Sequence, residues 1–235
     1  MQQNRHIVID DVSFRVDRPL LFRRLGVEAG DDLGAELEAL VSDAERVGRP
    51  RVMYRAARVD GRGEAEAVVD GVPFASRVLA VNLRSADQVF PYVLTCGAEL
   101  QAWSEGLDDP LAGFWAETIK ELSLRSATTR FLAHVEEAFR IGASSIMNPG
   151  SLPDWPLAQQ APLFRLLGEV TGTIGVTLSD SFVMLPTKSV SGILFPSEHD
   201  FASCQLCQRE ACPNRRSPYD PGLFERRYAD QHGNA

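Results

Sequence analysis

No stretch of this sequence approaches the roughly 18 consecutive apolar residues that a membrane-spanning helix needs. Residues Met1 to Asp10 are polar and charged and lack a signal-peptide core. A cytoplasmic protein with no membrane partner is therefore expected. There is no excess of positive charge either: 24 Lys and Arg stand against 32 Asp and Glu, for a formal net charge of −8. Such a chain has no broad basic face to displace counterions from a phosphate backbone, so nucleic acid is not an expected partner. The basic residues that do gather, Arg209, Arg215, Arg216, Arg226 and Arg227, have acidic residues among them and read as solvated surface. Histidine is scarce, and His6, His134, His199 and His232 fall in no catalytic spacing. Linkers rich in Pro, Ser or Gly, internal repeats and low-complexity runs are absent, which favours one unit over residues 1–235.

What is present is ordinary core material, 44% of the residues being hydrophobic, arranged in both helical and strand periods. Apolar residues alternate from His6 to Val16 as in a half-buried strand. Asp31-Asp32 opens a helix that Gly48-Arg49-Pro50 closes. Val52 to Val59 and Glu64 to Val69 read as a strand pair turning at Asp60-Gly61-Arg62-Gly63. Ser76 to Ser85 reads as a short helix, and Gln88 to Thr95 as a buried strand ending at Cys96-Gly97. The longest helix is expected from about Pro110 to Arg140, with a second at Ala158 to Leu167. Strand pieces at Ile174–Leu178, Phe182–Leu185 and Ser191–Phe195 precede a polar, cysteine-bearing segment and a short helix near Phe224 to Gln231. Mixed helices and antiparallel strands define an α+β class: a single domain with a curved, mainly antiparallel sheet flanked by helices. Residues 197–235 form a cysteine-bearing C-terminal extension to it.

Four cysteines are few, yet Cys204, Cys207 and Cys212 fall within nine residues, as C-x2-C-x4-C-P. In a reducing compartment, clustered thiols point to metal or redox work more than to disulfides. A C-x2-C turn converges two thiolates on one ion, and a third thiolate adds another tetrahedral corner. Cys96 or His199 is the candidate fourth ligand. Thiolates suit zinc and iron–sulfur clusters alike, and a redox-active dithiol or plain reduced thiols stay open as alternatives. The second constellation, Met184-Leu185-Pro186-Thr187-Lys188-Ser189-Val190-Ser191-Gly192, is a tight turn entering a buried strand, with hydroxyls and a lysine at its mouth.

Several segments follow one another in a fixed order: Asn148-Pro149-Gly150, Trp155-Pro156-Leu157, Leu163 to Gly168, Ile174 to Leu178, Leu178-Ser179-Asp180-Ser181, Met184-Leu185-Pro186 and Lys188-Ser189-Val190-Ser191-Gly192. That order resembles the activation domain of vitamin B12-dependent methionine synthase and its stand-alone relatives. The resemblance extends back to Leu94-Thr95-Cys96-Gly97. It implies a single α+β domain that binds S-adenosylmethionine and presents the methyl donor to cobalamin carried by a partner, while an electron carrier reduces the inactive cobalt. The ligand-binding residues it implies are Asn148, Pro149, Gly150, Ser151, Lys188, Ser189, Ser191 and Gly192. Two positions depart from the family's turn. The place of its arginine, suited to the ligand carboxylate, holds Ile146, and the place of its tyrosine holds Ser151. The cysteine tail is a further departure, and an iron–sulfur cluster there would let the protein carry the electron itself. The function implied is an accessory role, reductive reactivation of a corrinoid protein or cobalamin-dependent methyltransferase. The alternatives are a zinc-stabilised interaction module docking on a methyltransferase without chemistry of its own, and a free-standing S-adenosylmethionine enzyme.

Overall fold

The fold is organised around one strand, β6 (Gln88–Thr95), in a computed structural model that describes residues 6–197, 201–212 and 215–229. β6 is apolar on both faces and paired on both edges, as a central strand must be. Along one edge runs β10 (Ser189–Pro196), in the register Ser191↔Val93 and Gly192↔Tyr92. Along the other run β2 (Arg51–Tyr54) and then β3 (Ala57–Arg62). Between those two the chain keeps to β6 through a bond from Arg55 N to Pro91 O at 3.1 Å. From this core the sheet widens through β1 (Ile7–Ile9) on β2, β4 (Glu66–Val69) and β5 (Val72–Ala75) beyond β3, and β7 (Ser144–Met147) on β10. Every one of these pairings is antiparallel, and a separate ribbon joins β8 (Thr177–Leu178) to β9 (Met184–Leu185).

Strand alternation sends successive side chains to opposite faces, and the two faces meet different partners. Phe90, Tyr92 and Leu94 of β6, with Tyr54 and Leu194, lie against Ala127, Phe131 and Val135 of α5 (Pro110–Phe139). Asp109 caps that helix by accepting from Leu111 N and Ala112 N, and Pro110 at its first turn has no amide hydrogen to leave unpaired. The first half of α5, with Trp115, Ile119 and Leu122, packs instead on α1 (Arg18–Leu25), α2 (Asp32–Val47) and α4 (Ala98–Glu105). The opposite face of the sheet, with Met53, Val89, Val93, Ile193 and Phe195, receives α3 (Arg77–Asn82), α6 (Gln160–Leu167) and α7 (Val170–Ile174). Phe201, Leu206, Cys207, Leu223 and Tyr228 from the C-terminal segment, which carries α8 (Leu223–Arg227), join this same cluster.

The class, α+β with a mainly antiparallel sheet, is the one expected. Local differences have local causes. The expected hairpin turn at Asp60-Gly61 is part of β3, where the ladder shifts register between Val59 and Gly61 and absorbs the extra residue as a bulge. The two-residue turn lies further on at Asp70-Gly71, both at positive φ (42° and 76°), and it creates β5, which the sequence does not predict. The alternation from His6 to Val16 pairs only over Ile7–Ile9, while Phe14 and Val16 are buried by helices instead. In α2, Leu37 and Val41 are buried but Leu33 faces solvent. No helix among the described residues is long and apolar enough to cross a membrane.

Candidate functional site

The segment after β7 and the middle of β10 lie side by side because β7 and β10 are paired from Ser144↔Pro196 to Met147↔Ile193. The next residue, Asn148, therefore reaches Gly192. Its side-chain amide donates to Tyr92 Oη at 2.7 Å and to Ser191 O at 2.8 Å, using both of its donors. Gly192 makes this possible. A Cβ there would fall 2.6 Å from Asn148 Nδ2 and 2.8 Å from Tyr92 Oη, and closer still to Met147 O. Tyr92 is held from behind by Phe131, with ring centroids 4.8 Å apart. Burial drives its phenol pKa well above the ordinary range, against the opposing pulls of the Asn148 hydrogen bond and the Arg216 charge. Tyr92 is a site residue that sequence reasoning missed. Its signal was its parity on β6, opposite the glycine of the Ser-Val-Ser-Gly run.

Beyond Asn148 the chain reverses tightly. Gly150, at φ 83°, donates to Trp155 O at 2.7 Å, while Ser151 N and Oγ both donate to Asn148 O, at 3.1 and 2.6 Å. A side chain at Gly150 would need Leu157 Cδ1, 2.9 Å away, to shift, and the positive φ strains any residue but glycine there. Pro149 is buried, whereas Gly150 and Ser151 are exposed.

The structure divides the other expected ligand-binding residues. Ser191 shares its face with Val93 and is buried on the α6 side, where its hydroxyl has no partner among the described residues. Ser189 Oγ donates to Pro186 O at 2.7 Å and shares a hydroxyl–hydroxyl hydrogen bond with Thr95 Oγ1 at 2.9 Å, tying the start of β10 to the end of β6. Lys188 lies at this same end, four residues before Gly192 and thus about 13 Å along the strand. The chain has two lysines, and both ammonium groups sit on Glu117, Lys120 at 2.5 Å and Lys188 at 3.3 Å. Burial works against the Glu117 carboxylate, but bonding and charge from Lys120 and then Lys188 hold its pKa below the ordinary value. This cluster clamps α5 to β10 at a distance from the Asn148 turn.

The four sulfurs are not brought together. Cys96 is fully buried beside Leu100, Trp115 and Ile119, in the helical cluster, whereas Cys207 packs on the other side of the sheet with the α6 face. Burial pushes the Cys96 thiol up to about 11, and its sulfur bonds Gly97 O at 3.7 Å. Among the described residues no group of three or more His, Cys, Asp or Glu is arranged to hold a metal, so the donor set expected from the sequence does not fit a zinc or iron–sulfur site in this conformation. His199 lies outside the described residues. The loop itself is folded about Arg215, whose guanidinium donates to the carbonyls of Cys204 (3.0 Å), Cys207 (3.1 Å) and Ser217 (3.1 Å), and to that of Arg209. Arg216 N donates to Cys204 Sγ at 3.4 Å. Burial raises the Cys204 thiol pKa, but the amides of Arg216 and Ser217 and the charges of Arg216 and Arg215 outweigh it and leave it lowered.

Fold and site together define a class: an α+β domain in which one antiparallel sheet positions a Pro-Gly turn against a glycine-bearing strand beside its central one. Among solved structures, the crystal structure of the MetH reactivation domain bound to AdoHcy shares this fold, with a TM-score of 0.57 at 17% identity, over 86% of this chain and 82% of that one. No family model matches the sequence, and no curated protein does.

Proposed function

We propose that this chain is a reactivation partner of a corrinoid methyltransferase, working in the cytoplasm and holding an S-adenosylmethionine-type ligand between the 148–151 turn and β10. The observation that carries the reading is the shared fold: the MetH reactivation domain was crystallised with AdoHcy, and the two chains correspond over more than four fifths of each. The backbone of Asn148, Pro149, Gly150 and Ser151 forms one wall of the site, and Gly192 lets that turn close against the strand. In this reading cobalamin is carried by the partner, and the chain's own task is to bind and orient the methyl donor. The electron comes from a separate carrier. No step is routed through the cysteine loop, because its sulfurs and Cys96 are not gathered around a common point.

Reconstitution tests this. Anaerobic mixing of the corrinoid protein, a reductant, S-adenosylmethionine and this chain is expected to return a methyl group to inactive cobalt. Omitting the chain, or the S-adenosylmethionine, is expected to stop it. Equal methylation without the chain overturns the proposal. The alternative, a docking module with no chemistry, predicts complex formation by size exclusion and no AdoHcy heat in calorimetry.

A further inference from the structure

We infer that Arg216, delivered by the C-terminal segment, recognises the carboxylate of the ligand's amino-acid end. This rests on the ligand reading proposed above. Against β7 lies a cavity of about 200 Å³ bounded by Ser144, Ser145 and Ile146, by Leu194 of β10, and by Arg216 and Ser217. Its floor is apolar, from Ile146 and Leu194. Its polar wall is three serines and one guanidinium.

Three other arginines of this segment are committed elsewhere. Arg215 is spent on four backbone carbonyls, Arg226 pairs with Asp220 at 2.6 Å, and Arg227 lies over the Tyr228 ring at 5.6 Å. Arg216 differs. Its backbone is anchored to Cys204 Sγ, but among the described residues its guanidinium has no ion-pair partner. It also lies close enough to Tyr92 for its charge to lower the phenol's pKa, although burial dominates there. The cavity's Ile146 and Leu194 face each other across the β7–β10 ladder, two residues along from Asn148 and Gly192, so the cavity adjoins the Asn148–Tyr92 pair that anchors the turn.

In a chain of net charge −8, an uncompensated guanidinium at a cavity mouth selects for an anion. A planar carboxylate meets its fork through two parallel hydrogen bonds. The cavity is smaller than the roughly 300–1,000 Å³ of a complete small-molecule site, so it suits one end of a ligand. The hydroxyls of Ser144 and Ser217 beside the guanidinium supply acceptors for an ammonium next to that carboxylate. An α-amino acid end has this pair of groups, and the side chain of Ile146 can bond neither.

Calorimetry on the full chain with two ligands tests the assignment. AdoHcy carries the amino-acid end, and 5′-methylthioadenosine carries the same adenosyl thioether without it. Arg216→Ala is expected to weaken AdoHcy by roughly ten- to hundredfold, the range of a charge-assisted hydrogen bond, and to leave 5′-methylthioadenosine unchanged. Arg216→Lys is expected to fall between. The side chain is exposed, so thermal unfolding of both variants should match wild type, which separates recognition from folding. If Arg216→Ala binds AdoHcy as well as wild type does, or loses both ligands equally, this inference is wrong and the ligand reading survives. If wild type binds neither ligand, both fall together.

Discussion

Cys96 and Cys204 carry the same side chain in opposite surroundings. The first is enclosed by apolar helices and its thiol is pushed up to about 11; the second accepts from two backbone amides beside two arginines and is held below the ordinary 9.0. The thiolate is the reactive form. With limiting iodoacetamide near neutral pH, Cys204 is expected to be alkylated first and Cys96 only after denaturation, as read by peptide mass spectrometry. The sign of the pH dependence follows from the shift: the Cys204 rate should rise to its plateau with a midpoint below 9, because its thiolate persists to lower pH. A midpoint above 9 would contradict the hydrogen bonds from Arg216 and Ser217. The same comparison explains why sequence spacing misled. Cys96 ends a strand whose final side chains alternate between faces, and one residue of parity decides whether a sulfur looks toward the C-terminal loop or away from it. Arg216 was hidden for a different reason. Within a mixed-charge run nothing distinguishes the arginine that binds carbonyls from the one left facing a cavity.

At the scale of elements, the register of β7, β10 and β6 is what creates the site. Met147↔Ile193 and Gly192↔Tyr92 bring Asn148, Gly192 and Tyr92 to one point on the α5 side. Gly192→Ala would place a methyl group where Asn148 Nδ2, Tyr92 Oη and Met147 O already are. The expected cost is about 1–3 kcal/mol, as for other overpacked positions, measured as a lower urea midpoint, and AdoHcy affinity should fall with it. Gly113, half-buried on α5 with open space where its Cβ would be, is the control, since Gly113→Ala should be neutral or slightly stabilising. The elements legible in the sequence were those with long, single-purpose patterns. α5, α2 and β6 match their expected ranges to within a residue or two, because caps, periodicity and burial agree there. α1, α4, α7 and β7 were not legible. They span four to eight residues, too few for a period to declare itself, and tertiary contacts fix them. The Pro-Gly turn and the Ser-Val-Ser-Gly strand were legible as a pair, but Lys188 was not separable from them without knowing that Glu117 claims it.

At the scale of the whole molecule, the C-terminal segment is structurally continuous with the sheet's α6 face. Tyr228 is 1% exposed, meets Phe201 edge-to-face with ring centroids 6.2 Å apart, and donates to Asn82 Oδ1 at 2.9 Å across the core. Removing only that hydroxyl, in Tyr228→Phe, leaves a buried acceptor without its donor and is expected to cost about 1–3 kcal/mol. Tyr228→Ala also empties the ring's volume and should cost about 3–5 kcal/mol, as other aromatic truncations in cores do. The three tryptophans report on where that loss is felt. Trp155 belongs to the same cluster as Tyr228, while Trp115 and Trp103 lie in the helical cluster on the other side of the sheet. If the segment is part of one cooperative unit, urea should unfold all three together and Tyr228→Ala should shift a single transition. A variant that loses the Trp155 signal early while Trp115 keeps the wild-type midpoint would instead make the cysteine loop and its anchor a separable module. Arg216 would then sit on a mobile arm, and its reach into the β7 cavity would depend on that arm being docked.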